Sequence, residues 1–411
     1  MHFPLYIVKK LLSNRQKSFS SFIIKVALVA VSLSICIILL SISITRAYQK
    51  EIRDKFYACW GHIHITQFLA DPSDLLNDEK ISYDSSLVQA IQHTDGIQSI
   101  YPYTIQSCLI KTKEAFDGVV FKAYPNESAM HRMKSFLKEG TLPSYSDTSM
   151  SDEIVISSFL AKKLNLNLNQ KCYLYFVQKN EVQPKVRRVF IKGIYDTGLE
   201  EFDKLVLLGD AKFLTQLNQE DNNQIQGYEI TVNNKNKINT MVETIYDSYI
   251  EPPLQVYSIQ DRFSNIFSWL NMMNMNERII LFIMMIIALV NMITATLVLI
   301  LERTNMIGVL KTMGSKSMDI QFVFLYLSMY IVFWGIVIGT SIAFLLIFLQ
   351  QKFKFIHLDE STYFLKYLPV SFEWIPFILV LIATCIIHFL LLLIPSFIIK
   401  KIDPVKAIQY T

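Results

Sequence analysis

The sequence predicts a membrane α-helical protein of four transmembrane helices, with a large extracytoplasmic α/β or α+β domain inserted between helices one and two. Three observations carry that expectation. The chain is 52% hydrophobic with a mean hydropathy of +0.33, too apolar for one soluble domain and too polar for an all-membrane bundle. Its apolar residues gather in four runs, 22–45, 279–301, 320–349 and 372–394. Between the first and second lies a polar block of domain size, 46–270. A net charge of +4 without a clustered basic face sets nucleic acid aside as a partner.

Residues 1–21 place Lys9, Lys10, Arg15 and Lys17 among Leu5, Ile7, Val8, Leu11 and Leu12. This suits a short interfacial helix on an anionic, cytoplasmic membrane face. The run 22–45 holds one charge, Lys25, near its start, where a long side chain can snorkel to the headgroups. It exceeds the ~7–15 residues of a signal-peptide core and no small-x-small cleavage site follows, so it is read as a retained helix one.

The block 46–270 reads three times as strand, helix, strand. Ile63 and Ile65 alternate with polar neighbours, 86–92 is helical, and Gly96 leads into a strand over 97–109. The order returns at 154–156, 158–164 and 172–177, and again at 228–232, 238–246 and 254–259. Asn180 and Pro184 mark an exposed turn between 171–178 and 187–194, which together read as a hairpin. Cys59, Cys108 and Cys172 lack metal-ligand spacing, and whether two of them form a disulfide is left open by the spacing.

Residues 279–301 suffice, at ~1.5 Å per residue, to cross ~30 Å of hydrocarbon as helix two. Residues 320–349 form an uncharged helix three, longer than a bilayer needs and therefore tilted or projecting. Gly335 and Gly339 form a GxxxG pair suited to close helix packing. A polar loop over 350–370 leads to helix four, 372–394, where His388 is expected to face the protein interior and to hydrogen-bond a neighbouring helix. The tail 395–411 carries Lys400, Lys401 and Lys406.

The interruption 302–317 reads ERTNMIGVLKTMGSKS. Met306, Val309, Leu310 and Met313 recur at helical spacing as one apolar stripe, with Lys311 away from it, and Gly314 supplies a C-terminal stop. Such a helix can dock on a partner; an ordinary solvated loop is the alternative. Lys and Arg favour the cytoplasmic side. The N-terminus, this loop and the C-terminus hold most of those flanking the helices, whereas 350–370 keeps only Lys352, Lys354 and Lys366. The termini are therefore expected inside and the polar block outside.

Catalytic chemistry is not legible. Gly314-Ser315-Lys316-Ser317 lacks the adjacent Gly-Lys of a phosphate-binding loop. His62 and His64 share a strand face but have no third ligand beside them, so a plain strand is the better reading. No nucleophile, base and orienter set stands out, and no enzyme is expected.

The topology and the loop ERTNMIGVLKTMGS resemble the FtsX-like family of ABC transporter permeases, and Ile402-Asp403-Pro404-Val405-Lys406-Ala407-Ile408 is similar to that family's closing motif. Within it, Glu51-Ile52-Arg53-Asp54-Lys55 with Gly61-His62-Ile63, Leu358-Asp359-Glu360 with Tyr363, and Tyr367-Leu368-Pro369-Val370 look like the lipoprotein-releasing LolC/LolE type.

The resemblance implies a non-catalytic inner-membrane subunit that binds no cofactor itself. Its partners would be an ABC ATPase dimer carrying ATP and Mg²⁺, a second permease subunit, identical or paralogous, an acylated lipoprotein and a periplasmic carrier. It assigns ATPase coupling to Glu302, Arg303, Met306, Ile307, Val309, Leu310, Lys311, Met313 and Gly314. Met306 stands where relatives often have an acidic residue, so apolar docking is expected there. Carrier contact falls to the shorter, less proline-rich turn with Gln178, Asn180, Pro184 and Arg187. The face of Met284, Met285, Leu289 and Met292 is either a lipid pathway, suited to flexible acyl chains, or ordinary lipid-facing surface. Two other functions are compatible: an FtsX- or MacB-like force-transmitting permease for peptides, drugs or cell-wall hydrolases, and a membrane-anchored ligand sensor.

Overall fold

A computed structural model describes residues 7–8, 19–68, 79–112, 115–146, 149–177, 183–218 and 223–396. The interfacial helix of 1–21 and the tail of 395–411 lie almost wholly outside the described residues, as do Gln178 and Asn180.

In chain order, α1 (Phe19–Trp60) leads into β1 (Ile63–Gln67), β2 (Ile81–Ser82), α2 (Ser85–Gln92), β3 (Ile97–Lys111) and β4 (Phe116–Tyr124). Then come α3 (Glu127–Met130), β5 (Leu137–Gly140), β6 (Glu153–Ser157), α4 (Ser158–Lys163), β7 (Lys171–Phe176) and β8 (Lys185–Tyr195). The domain finishes with α5 (Glu200–Leu205), β9 (Val206–Asp210), α6 (Ala211–Asn218), β10 (Gln224–Ile225), β11 (Gly227–Val232), α7 (Ile238–Tyr249), β12 (Leu254–Ser258) and α8 (Ile259–Arg262). The remaining helices are α9 (Ser264–Glu302), α10 (Thr304–Thr312), α11 (Ser317–Phe353), α12 (Glu360–Tyr363) and α13 (Trp374–Ser396). Contacts divide the chain into a helical unit, residues 1–49, 270–357 and 367–411, and an α/β unit, residues 50–269 and 358–366.

Among the described residues, α1, α9 and α11 are long and apolar enough to cross a membrane by length and composition, and α13 is a further apolar helix. The helix read as ending at residue 45 continues to Trp60. Ile52, Phe56 and Trp60, four apart and buried, keep one apolar stripe running through residues whose composition is polar. Likewise α9 begins at Ser264, well before its apolar run.

In the helical unit, Val31, Ile35 and Leu39 of α1 pack with Met292 and Leu299 of α9, Phe324 and Ile331 of α11, and Phe377 of α13. Gly335 and Gly339 are the contact of α11 with α1. A Cβ on Gly339 would lie 2.4 Å from Ser32 O, and one on Gly335 would lie 2.7 Å from Val31 Cγ1. Thr296 and Ser328 hydroxyls join α9 to α11 at 2.9 Å. His388 is buried, but its Nδ1 donates to Thr384 O of its own helix at 2.8 Å. His388 is thus bonded within its own helix and not, as expected, to a neighbouring one, because a side chain four residues on reaches its own helix carbonyl first.

In the α/β unit, β1-α2-β3 and β11-α7-β12 build an antiparallel sheet of order β12-β1-β11-β3. Two such halves in this order give a ferredoxin-like βαββαβ layer. Everything from 112 to 226 is inserted between its second and third strands. The first half of β3 pairs with β11 and the second half with β4. From there β4, β9, β6, β8 and β7 follow one another, and β7 returns to β3, closing a six-stranded ring. Phe121, Ile156, Leu174, Phe176, Val189 and Ile191 fill its core. The three strand–helix–strand orders read from the sequence are present as β1-α2-β3, β6-α4-β7 and β11-α7-β12. Cys59, Cys108 and Cys172 are free, buried thiols, the last two within one core.

Gly339→Ala is expected to destabilise the helical unit by about 1–3 kcal/mol, the cost of overpacking a contact whose other side is a backbone carbonyl that cannot turn away. Gly118→Ala is the control: its Cβ would meet nothing nearer than Leu109 Cδ2 at 3.9 Å. Thermal unfolding of the two variants in detergent should show a lowered transition for the first only.

Candidate functional site

The helix between α9 and α11 is short and sharply bounded. Arg303 breaks away from α9, α10 follows, and Gly314 at φ +88° closes it. Ser315 N–H donates to Leu310 O at 3.0 Å and Gly314 N–H to Lys311 O at 3.1 Å. This pair of bonds is a Schellman motif, which glycine allows because it tolerates the left-handed conformation. The apolar stripe expected to dock as a whole is divided. Ile307 is fully buried, Met306 and Leu310 pack on the bundle core, while Val309 is 45% and Met313 77% exposed. The stripe is wide enough to serve two surfaces, so only its outer edge remains for a partner. Glu302 is exposed, and Arg303 and Lys311 are half-buried.

The methionine face of α9 is also turned inward. Met292 is fully buried and Met284 packs against the same core, with Met285 and Leu289 half-buried. The exposed face carries Phe282, Ile283, Ile286 and Val290 instead.

In the α/β unit, Pro184 and Arg187 are exposed at the β7–β8 hairpin. Beside them the ring's outer wall is apolar: Gly118, Leu109, Tyr175 and Val186 face one another across β4, β3, β7 and β8. A shallow cavity of about 440 Å³ is lined here by Leu109, Val120, Tyr175, Val177 and Leu205. Lys111 Nζ lies 5.6 Å from the Tyr175 ring centre, giving the patch a cationic rim.

Sequence reasoning missed the most heavily charged site, a buried ion cluster at the end of α1. A helix ends with carbonyls that have no partner and with a negative dipole. Here Arg132 Nη1 donates to Tyr57 O (3.4 Å), Lys122 Nζ to Cys59 O (3.2 Å) and His64 Nε2 to Trp60 O (2.5 Å). Lys122 is fully buried, 4.1 Å from the Trp60 ring centre. Glu229, also buried, faces Lys122 at 2.5 Å, pairs with Arg132, and accepts from Tyr124 OH at 3.1 Å. Burial alone would raise the Glu229 pKa, but Lys122, Arg132 and His64 outweigh it and hold it at about 2. For Lys122 burial wins over Glu229 and lowers its pKa to about 8. The two partners differ in who benefits, yet both values leave the pair ionised at neutral pH.

His64 donates through Nε2, so its Nδ1 accepts from Tyr103 OH at 3.2 Å. Burial is the main cause holding it neutral, with a pKa of about 3. His62 Nδ1 accepts the Val232 N–H at 2.9 Å. Both histidines are therefore employed in the fold, and among the described residues no metal-holding group of three His, Cys, Asp or Glu occurs.

The segment 358–366 was read as part of a separate loop, but it belongs to the α/β unit. Lys55 Nζ donates to Phe364 O at 2.8 Å, and Lys366 bridges Asp196 (3.1 Å) and Glu360 (3.3 Å). Asp196 also pairs with Lys138. Gly198 at φ +70° lies where any side chain would strike Glu360 and Lys55. With no side chain there, Gly198 leaves room for the Glu360 carboxylate, the Lys55 ammonium and Phe364 O to approach its backbone.

Comparison with known proteins places these sites in context. Residues 278–404, which contain α10, match the family described as FtsX-like permease C-terminal. Over 98% of its length the chain is 19% identical to the "Lipoprotein-releasing system transmembrane protein LolC" of Xylella fastidiosa, covering 97% of that protein. It is 20% identical, again over 98%, to the protein of the same description from Neisseria meningitidis serogroup B, covering 98% of it. The periplasmic region of MacB from Actinobacillus actinomycetemcomitans aligns with 51% of this chain and 95% of its own, at 13% identity and a TM-score of 0.35.

Glu229→Leu strands two cations and should cost about 3–5 kcal/mol, whereas Lys122→Met leaves the Arg132–Glu229 pair intact and should cost less. Because the Glu229 pKa is depressed from 4.5 to about 2, its stabilisation is complete above about pH 4.5 and is lost as pH falls toward 2. Melting curves across that range should slope in the wild type and flatten in Glu229→Leu.

Proposed function

We infer that the chain is an FtsX-like permease of the LolC type, the non-catalytic membrane subunit of an ABC transporter that releases acylated lipoproteins from the inner membrane. Full-length similarity to LolC proteins supports the substrate class. The observation that carries the coupling role is α10: a capped helix between two long apolar helices, inside the permease-family match, with Val309 and Met313 exposed. ATP and Mg²⁺ would be handled by a separate ATPase dimer, and a second permease subunit, identical or paralogous, completes the assembly.

In this reading four helices span the inner membrane, both termini and α10 are cytoplasmic, and the α/β unit is periplasmic. The ATPase docks on Val309 and Met313, with Glu302, Arg303 and Lys311 flanking. Met306, Ile307 and Leu310 pass its movement into the bundle core. Extracting a lipid chain costs ~0.8 kcal/mol per CH₂, which explains the need for ATP. Acyl chains would run along the exposed faces of α9 (Phe282, Ile286, Val290) and α1 (Val26, Val29, Leu33) rather than along the buried methionines. On the periplasmic side, a carrier would meet the hairpin at Pro184 and Arg187 and the apolar wall beside it.

Substituting Val309→Glu or Met313→Glu should weaken ATPase association roughly tenfold, about 1.4 kcal/mol, without moving the melting temperature. Met306→Glu should lower the melting temperature first. Co-purification from nanodiscs reads the first effect and thermal scanning the second; equal ATPase binding in all three variants would refute this docking surface. In a reconstituted system ATP should release an acylated lipoprotein but not its unacylated form, and the reverse result would overturn the substrate assignment.

A further inference from the structure

The α/β unit holds a second, larger cavity, of about 630 Å³, that neither the coupling helix nor the apolar wall involves. It lies beside the first half of β3, lined among others by Tyr83, Tyr101, Pro102, Pro125, Thr215 and Gln216. Its size is that of an ordinary ligand site. Among the described residues the charged side chain in the lining is Lys212, whose Nζ donates to Ser146 O at 2.6 Å. The lining offers aromatic faces, proline rings and neutral amides and hydroxyls.

Among the described residues, one side of this cavity is an open strand edge. In an antiparallel ladder, alternate residues point their N–H and C=O to opposite neighbours. Tyr103 O accepts from Gln226 N–H on the β11 side, so the odd-numbered residues of this stretch face β11 and the even-numbered ones face away. Gln92 confirms the assignment from the other side: its Nε2 donates to Gln98 O (3.4 Å) and its Oε1 accepts from Ile100 N–H (3.3 Å). Pairing with β4 starts only at Thr104. Ile100 O and Pro102 O are left between these two, and Pro102 has no N–H to offer. The edge therefore presents acceptors and needs a ligand that brings donors in an extended row.

We propose that this cleft binds an extended, uncharged polypeptide segment, laid along β3 so that its backbone N–H groups reach Ile100 O and Pro102 O while its side chains rest on the tyrosine and proline faces. Strand addition supplies the hydrogen bonds and the lining the selectivity. A nucleotide or other anion finds no uncommitted cation here, and an acyl chain would leave the two carbonyls unanswered. The inference stands apart from the lipoprotein reading, since it uses only the cleft.

The test is selection of a displayed library of uncharged peptides on the full chain in nanodiscs, with counter-selection on Thr215→Trp, which fills the cleft; should that variant melt differently, Gln224→Trp replaces it. Recovered peptides are then synthesised with alternate amides N-methylated, and binding is read by fluorescence anisotropy. Enrichment on the wild type alone, with a tenfold or greater loss on methylation, is the expected result. No enrichment over the filled variant, or binding that ignores methylation as an acyl-like or side-chain-only ligand would, overturns the proposal. ATP-driven lipoprotein release, measured in parallel, fails or succeeds independently of this outcome.

Discussion

A single carboxylate, Glu229, sets the terms for the α/β unit. It is buried with Lys122 beside it and Arg132 across from it, and the same two cations reach past it to the last carbonyls of α1. Lys122 would not tolerate that depth without the carboxylate, and the helix end would be left with unpaired acceptors without the two cations. Three elements distant in sequence, the end of α1, β4 and β11, are thereby fixed to one another by charge as well as by packing. Rings pack at the same helix end, Trp60 against Phe202 at 5.2 Å and Phe56 against Phe263 at 5.1 Å. In a low-dielectric surrounding such a network resists partial opening.

The coupling helix shows the complementary design. Its inner face is apolar and shared with the bundle, its outer face is small and apolar, and its end is fixed by a glycine turn. A short helix is not stable alone, so docking on the bundle through Ile307, Met306 and Leu310 is what makes a helix at this place. The residues available to a partner are those that the bundle does not need. This division follows from stripe width: two turns of helix with apolar residues over more than a third of the circumference cannot hide them all against one neighbour.

What could be read in advance follows from the range of each interaction. Apolar runs, the GxxxG pair and the glycine stop depend on neighbours within a few residues, and they were visible. The extension of α1 was also present as a spacing, Ile52, Phe56 and Trp60, but was masked by the surrounding charges Glu51, Arg53, Asp54 and Lys55. The ring closure of β7 on β3 and the pairing of Lys122 with Glu229 are different in kind. A lysine within a strand reads as a solvent-facing residue, and nothing local says that a carboxylate more than a hundred residues on will bury it. The stripe of α10 was found but not its division, because spacing gives a face and not the number of surfaces that share it.

The long strand β3 ties these parts together. This strand serves a sheet with its first half, beside β11, and a ring with its second, beside β4 and β7, so its neighbours change between Tyr103 and Thr104. Pro102 lies two residues before the β4 pairing begins, on the edge that faces away from β11. Lacking an N–H, it offers that edge an acceptor and no donor, and among the described residues the edge beside it stays open. Gln92 covers the part of that edge nearest its own helix. At the boundary between the two layers the strand thus lacks one donor, and its edge there accepts.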